Sequence, residues 1–550
     1  MIDSGVVAGH PLLANWVIEE RDFHTGEATA VDLNGHGTAV AGLVAYGDIA
    51  SCLESNRWEP RVRICSAKVL RNQPNLLQPD RPEAVFPDQS DKRIESVTEE
   101  AIRYFHGQGC RVFNLSVGDA SKVYSDQRQF SWAELLDDLT RELDIVIVVS
   151  TGNNNQPQIP DVPHTRDRFR KAVREQTLQD RVTSPATAAL ALTVGSLARS
   201  EGLPAGTIAM TAGAPEGGPS PFTRTGPGYA MRPTSKGIKP DVVDFGGNFG
   251  LQAMTPAIKR WAEHPALGEP SLQRDYVNRA VRMFFGTSYA APHVTHAAAL
   301  AECALRDALG NAPSACLIRA AVGAACAIPA APRGWYTDEG KRCKMIGYGR
   351  PVLERIPWST DNDARLVAMD DVEENKFHLY RVPIPADFIA VPGPKGITIA
   401  LAFDPPVRGS RKMYMARTMS FYPMLAVTIQ DAHEALSRFD GNQDEEEEPR
   451  LPPERQLRMT PGSRRVAYSA LQVRRAEWGA EDDLPAMVDG SGESALTVAV
   501  FCQQRFATDP LETRQRYGLV VDFWHAGQET RLYEPLRARV RPRLRQQARI

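Results

Sequence analysis

Residues 145–150, Ile-Val-Ile-Val-Val-Ser, constrain this chain more than any other stretch. Five β-branched residues in a row leave neither face polar. A strand of that kind has to be covered on both sides, as strands inside a parallel sheet are. Its surroundings repeat the theme. Residues 62–70, 112–117, 190–197 and 242–245 read as further strands, and 94–105 and 132–143 carry helical spacing. Alternation of β and α over the first 350 residues argues for a three-layer α/β sandwich with a mostly parallel sheet. Polar, Pro-rich inserts at about 71–93, 154–181 and 200–218 read as surface loops.

The pattern changes near Gly347-Tyr348-Gly349-Arg350-Pro351. Beyond it the helical periodicity fades, and residues 378–384, 397–403, 418–429, 496–501 and 517–524 read as strands parted by Pro, Gly and charge. The expected organisation is an α/β domain over 1–355 followed by an antiparallel β domain over 360–550. The second domain is interrupted by an acidic loop, Asp444-Glu445-Glu446-Glu447-Glu448, and closes on an Arg-rich tail. From Arg531 onward there are seven Arg against one Glu, so the tail is +6 and the rest of the chain −9. Docking on the acidic loop, a partner, and nucleic acid are all open readings of that tail.

Bulk charge narrows the classes of function. Lys plus Arg number 64 and Asp plus Glu 67, a balance that gives no global reason to expect nucleic acid or an anionic membrane. No run of 18 apolar residues suggests a transmembrane helix, and no basic-then-apolar leader marks a signal peptide. The eight cysteines are scattered without a Cys-x-x-Cys pair. They read as reduced and mostly buried thiols, which points to the cytoplasm.

Four short motifs carry chemistry. In chain order they are Ile2-Asp3-Ser4-Gly5, Asn34-Gly35-His36-Gly37-Thr38, Ser150-Thr151-Gly152-Asn153, and Gly286-Thr287-Ser288-Tyr289-Ala290-Ala291-Pro292-His293. Glycines flank His36 and leave room around its ring. Asn153 follows the buried strand directly. Ser288 precedes an Ala-rich helix in which Pro292 is expected to fall in the first turn. Together, and in this order, the motifs resemble the subtilase family of serine peptidases. Lys239-Pro240-Asp241-Val242 and Gly347-Tyr348-Gly349 resemble two further family segments.

The resemblance implies a subtilisin-like serine endopeptidase acting on protein or peptide substrates, and the lack of a signal with the sparse cysteines favours a cytoplasmic, bacterial-type enzyme. Ser288 would be the nucleophile, His36 the general base and then acid, and Asp3 the group that fixes the His36 tautomer. Asn153 with the Ser288 N–H would form the oxyanion hole. Ser116 and Gly118 would pair with an extended substrate, and Ser150, Thr151 and Gly152 would line the pocket before the scissile bond. No catalytic metal or cofactor is implied, and structural calcium is left open. Large subtilases of this appearance are known beside AAA-type ATPases in bacterial loci, which makes such an ATPase a candidate partner.

This sequence also departs from the family pattern. His293 reads as helix surface or packing. His296 stands where the family usually has Gly, and Asp244-Phe245-Gly246 replaces the usual Ala-Pro-Gly. The family has a central strand leading into the catalytic Asp, yet only Met1 and Ile2 precede Asp3. The reading therefore expects a leading strand to be missing, and the 550 residues alone to be poorly stable and weakly active. The rival reading is a truncated or inactive subtilase used as a protein-binding scaffold.

Overall fold

The computed structural model describes the chain apart from residues 24, 28, 76–81, 88–91, 127, 161–164, 206–209, 230–235, 256–258, 333, 357–361, 412, 438–454, 509–510, 528–530, 533–545 and 549–550. The acidic loop and most of the Arg-rich tail therefore lie outside the described residues. The chain divides into two compact units. One holds Met1–Cys303, Cys326–Leu353 and Gly409–Lys412; the other holds Ala304–Ala325, Glu354–Arg408 and Met413–Ile550.

The first unit is built on a seven-stranded parallel sheet. Its strands are β1 (Ile2–Asp3), β2 (Val17–Asp22), β3 (Ile64–Lys68), β4 (Val112–Leu115), β5 (Val146–Ser150), β6 (Leu192–Leu197) and β7 (Val242–Phe245), in the order β7-β6-β5-β4-β1-β3-β2. Every pairing is parallel. β5 is buried at all five positions, as its β-branched composition demands. Ile147 and Val149 join a core with Ile102 and Phe105 of helix α2 (Ile94–Gly107) and with Trp132 and Leu136 of α3 (Ser131–Leu143). A separate core gathers α1 (His36–Tyr46) with Val6, Leu272, Phe284 and Tyr289. This is the expected α/β sandwich. Parallel strands deliver their C-terminal ends to one edge, where open α/β sheets place their ligands. Asp3 ends β1, Asn114–Gly118 closes and follows β4, and Ser150–Asn153 follows β5.

The inserts carry more structure than the loops expected of them. Residues 154–181 contain a helix, Arg166–Thr177, held by Arg170, Val173 and Thr177 on its buried side. Residues 71–93 contain an antiparallel pair, Arg71–Gln73 with Glu83–Val85. Residues 200–218 contain Met210–Ala212, paired with Gly250–Ala253.

The second unit holds two four-stranded sheets whose pairings are antiparallel throughout. Their strands are β8 (Asp363–Glu373), β9 (Lys376–Pro383), β10 (Lys395–Phe403), β11 (Arg417–Leu425), β12 (Leu471–Trp478), β13 (Ala495–Gln504), β14 (Arg514–His525) and β15 (Gln546–Ala548). The sheet orders are β8-β14-β10-β12 and β11-β13-β9-β15. Alternate residues such as Ile397, Ile399 and Leu401 of β10 and Leu519, Val521 and Phe523 of β14 fill one apolar core. The strand expected over 418–429 stops at Leu425. Ala426 takes φ 54°, and Thr428 then caps helix Ile429–Leu436 with a reciprocal capping box.

All eight cysteines are free thiols; four of them, Cys316, Cys326, Cys343 and Cys502, are buried, three are half-buried and Cys303 is exposed. Among the described residues, no helix is long and apolar enough to cross a membrane.

Candidate active site

A cavity of about 460 Å³ opens at the C-terminal edge of the parallel sheet. Asp3, at the end of β1, is fully buried and lies behind it. Asp3 Oδ1 is 2.7 Å from His36 Nδ1 and accepts a second bond from the Ser4 N–H, also at 2.7 Å. His36 is the first residue of α1, its side chain is 22% exposed, and its ring packs 5.5 Å from that of Tyr289. His36, Asn153 and Ser288 all line the cavity.

The turn that presents His36 is organised by Asp32, which the sequence reading did not single out. Its carboxylate is buried and collects five donors. Oδ1 accepts from the N–H groups of Asn34 and Gly35 and from Ser4 Oγ. Oδ2 accepts from the N–H and hydroxyl of Thr38 at 2.8 and 2.7 Å. Ser4 Oγ in turn takes the N–H of Gly37 at 3.0 Å. The orphan donors of the first turn of α1 are thus tied to the segment that carries Asp3. Burial pushes the Asp32 carboxyl above its ordinary range, although the Thr38 and Gly35 bonds pull the other way. An Asp two residues ahead of Asn-Gly-His was the available signal.

Ser288 is the second residue of α4 (Thr287–Leu309), where the helix dipole favours negative charge. Pro292 is the sixth residue of this helix, past the first turn expected for it. Proline has no N–H to give to the carbonyl four residues back, and that carbonyl belongs to Ser288. Ser116 Oγ fills the gap, donating to Ser288 O at 2.9 Å. Asn114 Nδ2 donates to the same Ser116 Oγ, and Thr295 Oγ1 donates to Asn114 Oδ1. Ser288 Oγ donates to the Ser116 carbonyl at 3.1 Å. The nucleophile candidate and the edge after β4 therefore hold each other.

Asn153 is oriented from α4 as well. Its Oδ1 accepts from the N–H and hydroxyl of Thr287 at 2.9 and 3.1 Å, so the Nδ2 amide is the end turned toward Gly286. Gly286 has φ +146°, and a Cβ there would stand 3.1 Å from Asn153 Nδ2. A side chain at this position would be strained and would crowd that donor.

Of the expected substrate-binding residues, Ser116, Gly118, Ser150 and Gly152 line the cavity. Thr151 is fully buried beneath it, its N–H bonded to Val194 O. Leu70, Ala84, Thr183 and Glu83 line the cavity too and were not anticipated.

The departures from the family pattern have local explanations. His293 is buried, not on the helix surface, and its Nε2 lies 3.1 Å from Glu269 Oε1. Arg199 grips the same Glu269 with two bonds of 2.8 Å and reaches Asp48 at 3.0 Å. Asp244 accepts from Arg350 at 2.7 Å, and both arginines lie over the ring of Phe245. Burial opposes the His293 charge, but Asp244 and Glu269 outweigh it and raise the imidazole above its ordinary value. His296 fits because its neighbour is Gly47, where a Cβ would come within 2.7 Å of the ring. Its Nδ1 bonds Val44 O at 2.8 Å, and burial lowers the imidazole to about 4.

A model of the subtilase family, Peptidase S8, matches residues 1–349. The uncharacterised protein y4bN of Sinorhizobium fredii is 30% identical over 469 residues, spanning 83% of this chain and 100% of that protein. Among solved structures, a lanthipeptide protease is 18% identical with a TM-score of 0.40, over 64% of this chain and 85% of its own. The prenylagaramide maturation protease PagA is 17% identical with a TM-score of 0.38, over 64% and 90%.

Proposed function

Because this chain belongs to the subtilase family, we propose that it is a serine endopeptidase working through Asp3, His36 and Ser288. The observation that carries the reading is the convergence of the 2.7 Å Asp3–His36 pair, Ser288 and Asn153 on one cavity. In this scheme Ser288 Oγ leaves the Ser116 carbonyl and turns to His36 Nε2 when substrate enters. Catalytic hydrogen bonds commonly form only in the substrate complex. Oγ attacks the scissile carbonyl carbon and its proton passes to His36. The carbonyl oxygen becomes an oxyanion that takes hydrogen bonds from Asn153 Nδ2 and the Ser288 N–H. The C–N bond then breaks, and His36 protonates the departing amine. Water, deprotonated by His36, hydrolyses the acyl-enzyme and restores Ser288. Asp3 holds the ring and stabilises the imidazolium throughout.

A non-catalytic scaffold is favoured by one observation, the bond by which Ser288 Oγ donates its proton to the Ser116 carbonyl. A fluorophosphonate probe with a cleavable protein substrate separates the two readings. The peptidase reading expects covalent labelling that disappears in Ser288→Ala, together with all cleavage. Asn153→Ala is expected to keep the label site and lose about 10²–10³ in kcat. An unlabelled, folded wild-type chain, or undiminished cleavage by Ser288→Ala, overturns it.

A further inference from the structure

We infer that the cleft sorts peptides by charge, taking a basic side chain on the acyl side of the scissile bond and an acidic one on the leaving-group side. This names the substrate class for the peptidase reading above and rests on it.

Two hollows meet at the loop that carries His36. The first is the 460 Å³ cavity already described. It holds the acyl half of a substrate, because Ser288 and Asn153 grip the carbonyl there. Of the described residues lining it, Glu83 alone has a carboxylate or fixed charge. Glu83 begins the strand Glu83–Val85 of the 71–93 insert. That insert is fastened beside the site, since Asn34 Nδ2 donates to Pro82 O at 2.7 Å. The Glu83 side chain is set by Asn75 Nδ2, which donates to Oε1 at 3.0 Å. A neutral hollow with one carboxylate on its wall attracts a cation and repels an anion.

The second hollow, about 220 Å³, shares Asn34 with the first and is lined by Gly35, Arg274, Asp275, Arg282 and Phe284. His36 gives its proton to the leaving amine, so the space beyond the His36 loop receives the leaving-group half. Its far wall is the hairpin Glu269–Leu272 with Val281–Phe284, which runs directly into Gly286-Thr287-Ser288. The stem of Arg274 lies against the loop: a Cβ on Gly35 would be 3.5 Å from its Cγ and Cδ. Between residues 273 and 282 the hairpin has Arg274, Arg279 and Arg282 against Asp275 alone. Asp275, whose Oδ2 accepts from Asn278 Nδ2 at 2.8 Å, offsets one of these charges, so three Arg less one Asp leave the stretch at +2. The two ends of the cleft thus carry opposite charge.

Glu83 and Arg282 are exposed, so each contact is screened and worth about 2- to 5-fold. Both together should give about 10-fold in kcat/KM. The test uses internally quenched peptides of one length and one neutral core. One carries Lys before and Glu after the core, a second carries the reverse, and a third is uncharged. Mass spectrometry locates the cut. The Lys-first peptide should lead the reverse by about 10-fold at low ionic strength, and the ratio should shrink toward 1 near 1 M salt, where the Debye length falls to about 3 Å. Glu83→Lys with Arg282→Glu should invert the order of the two charged peptides, read as the ratio of their kcat/KM values in the same protein. Affinities of the same peptides for Ser288→Ala protein should follow the same order. Equal rates for both charged peptides, or a preference that survives the double reversal, overturns the inference while leaving a labelled, active peptidase in place. Absence of fluorophosphonate labelling and of all cleavage instead removes the peptidase reading, and this inference with it.

Discussion

Two histidine–carboxylate pairs sit beside the first turns of α4, and they differ in what lies on the far side of the ring. His36 and Asp3 are 2.7 Å apart, with the imidazole 22% exposed on a cavity that also holds Ser288 and Asn153. His293 and Glu269 are 3.1 Å apart, with side chains 5% and 0% exposed; Arg199 holds the same Glu269, and the charge of Asp244 also acts on the ring. The same two functional groups therefore serve different ends. In the open pair, Asp3 fixes one nitrogen and the ring borders the cavity that Ser288 and Asn153 line. In the closed pair, the ring is buried against Glu269, which Arg199 also holds, and the product is a cross-link between α4, the hairpin before it and the end of β6. An acid–histidine contact is thus no sign of catalysis until the other side of the ring is known.

The largest expected effect separates the pairs by activity. Asp3→Asn preserves shape and removes the charge that selects the His36 tautomer. It should lower kcat/KM about 10⁴-fold with little change in melting temperature. Retained cleavage in a folded Asp3→Asn protein would dissolve the distinction from the open side.

The converse substitution tests the closed pair. Glu269→Gln leaves the buried His293, and the half-buried Arg199 that also holds Asp48, facing a neutral side chain. Breaking a buried ion pair from one side costs about 3–5 kcal/mol. Urea unfolding should show that loss in the first unit, while fluorophosphonate labelling of the protein that remains folded still marks Ser288. A variant with undiminished stability, or one folded but unlabelled, would mean that the closed cluster does something other than brace.

How much of this was legible depended on how local the cause was. Asp3, His36, Asn153 and Ser288 each stand in a motif of a few residues, with glycines or a strand end beside them. Their candidacy could be read directly. What orients them could not. Asn153 is turned by Thr287, 134 positions away, and the Ser288 carbonyl left unbonded by Pro292 is satisfied by Ser116, 172 positions away. Asp32 takes its backbone donors from the next six residues, as an ordinary turn acid does, and its tie to Ser4 Oγ lies 28 positions away. The parallel sheet was legible because β5 is apolar on both faces. The helix Arg166–Thr177 was not, because most of its residues are charged and only three are buried. In the second unit, β8 and β12 escaped notice for a related reason: acids at Asp370 and Asp371 and arginines at Arg474 and Arg475 break the apolar alternation. Arg474 is nonetheless buried, donating to Pro461 O and Phe421 O.

The smallest expected effect sharpens the contrast through pH. His293 has a raised imidazole, so its contribution to stability is complete below the unfolded value near 6.5 and is lost as pH rises through the folded value. Glu269 is held low: burial would raise it, but Arg199 and His293 prevail. Its contribution is present above the unfolded carboxyl range and disappears only as pH falls through the folded value. His296, one turn further along α4, has the opposite sign to His293. Burial lowers it to about 4, so its contribution is present above about 6.5 and is lost as pH falls toward 4. The two histidines together should give a stability profile that falls on both sides of about pH 6.5. Replacing His293 with Gln should flatten the alkaline limb and leave the acid limb in place, with a total change smaller than that of Glu269→Gln. Urea midpoints measured from pH 5 to 9 on both proteins decide the matter. A difference between the two curves that does not vary with pH would mean that folding leaves the His293 pKa unshifted, and a wild-type advantage that is lost as pH falls below about 6.5 would mean a neutral hydrogen bond; either outcome removes the ion pair.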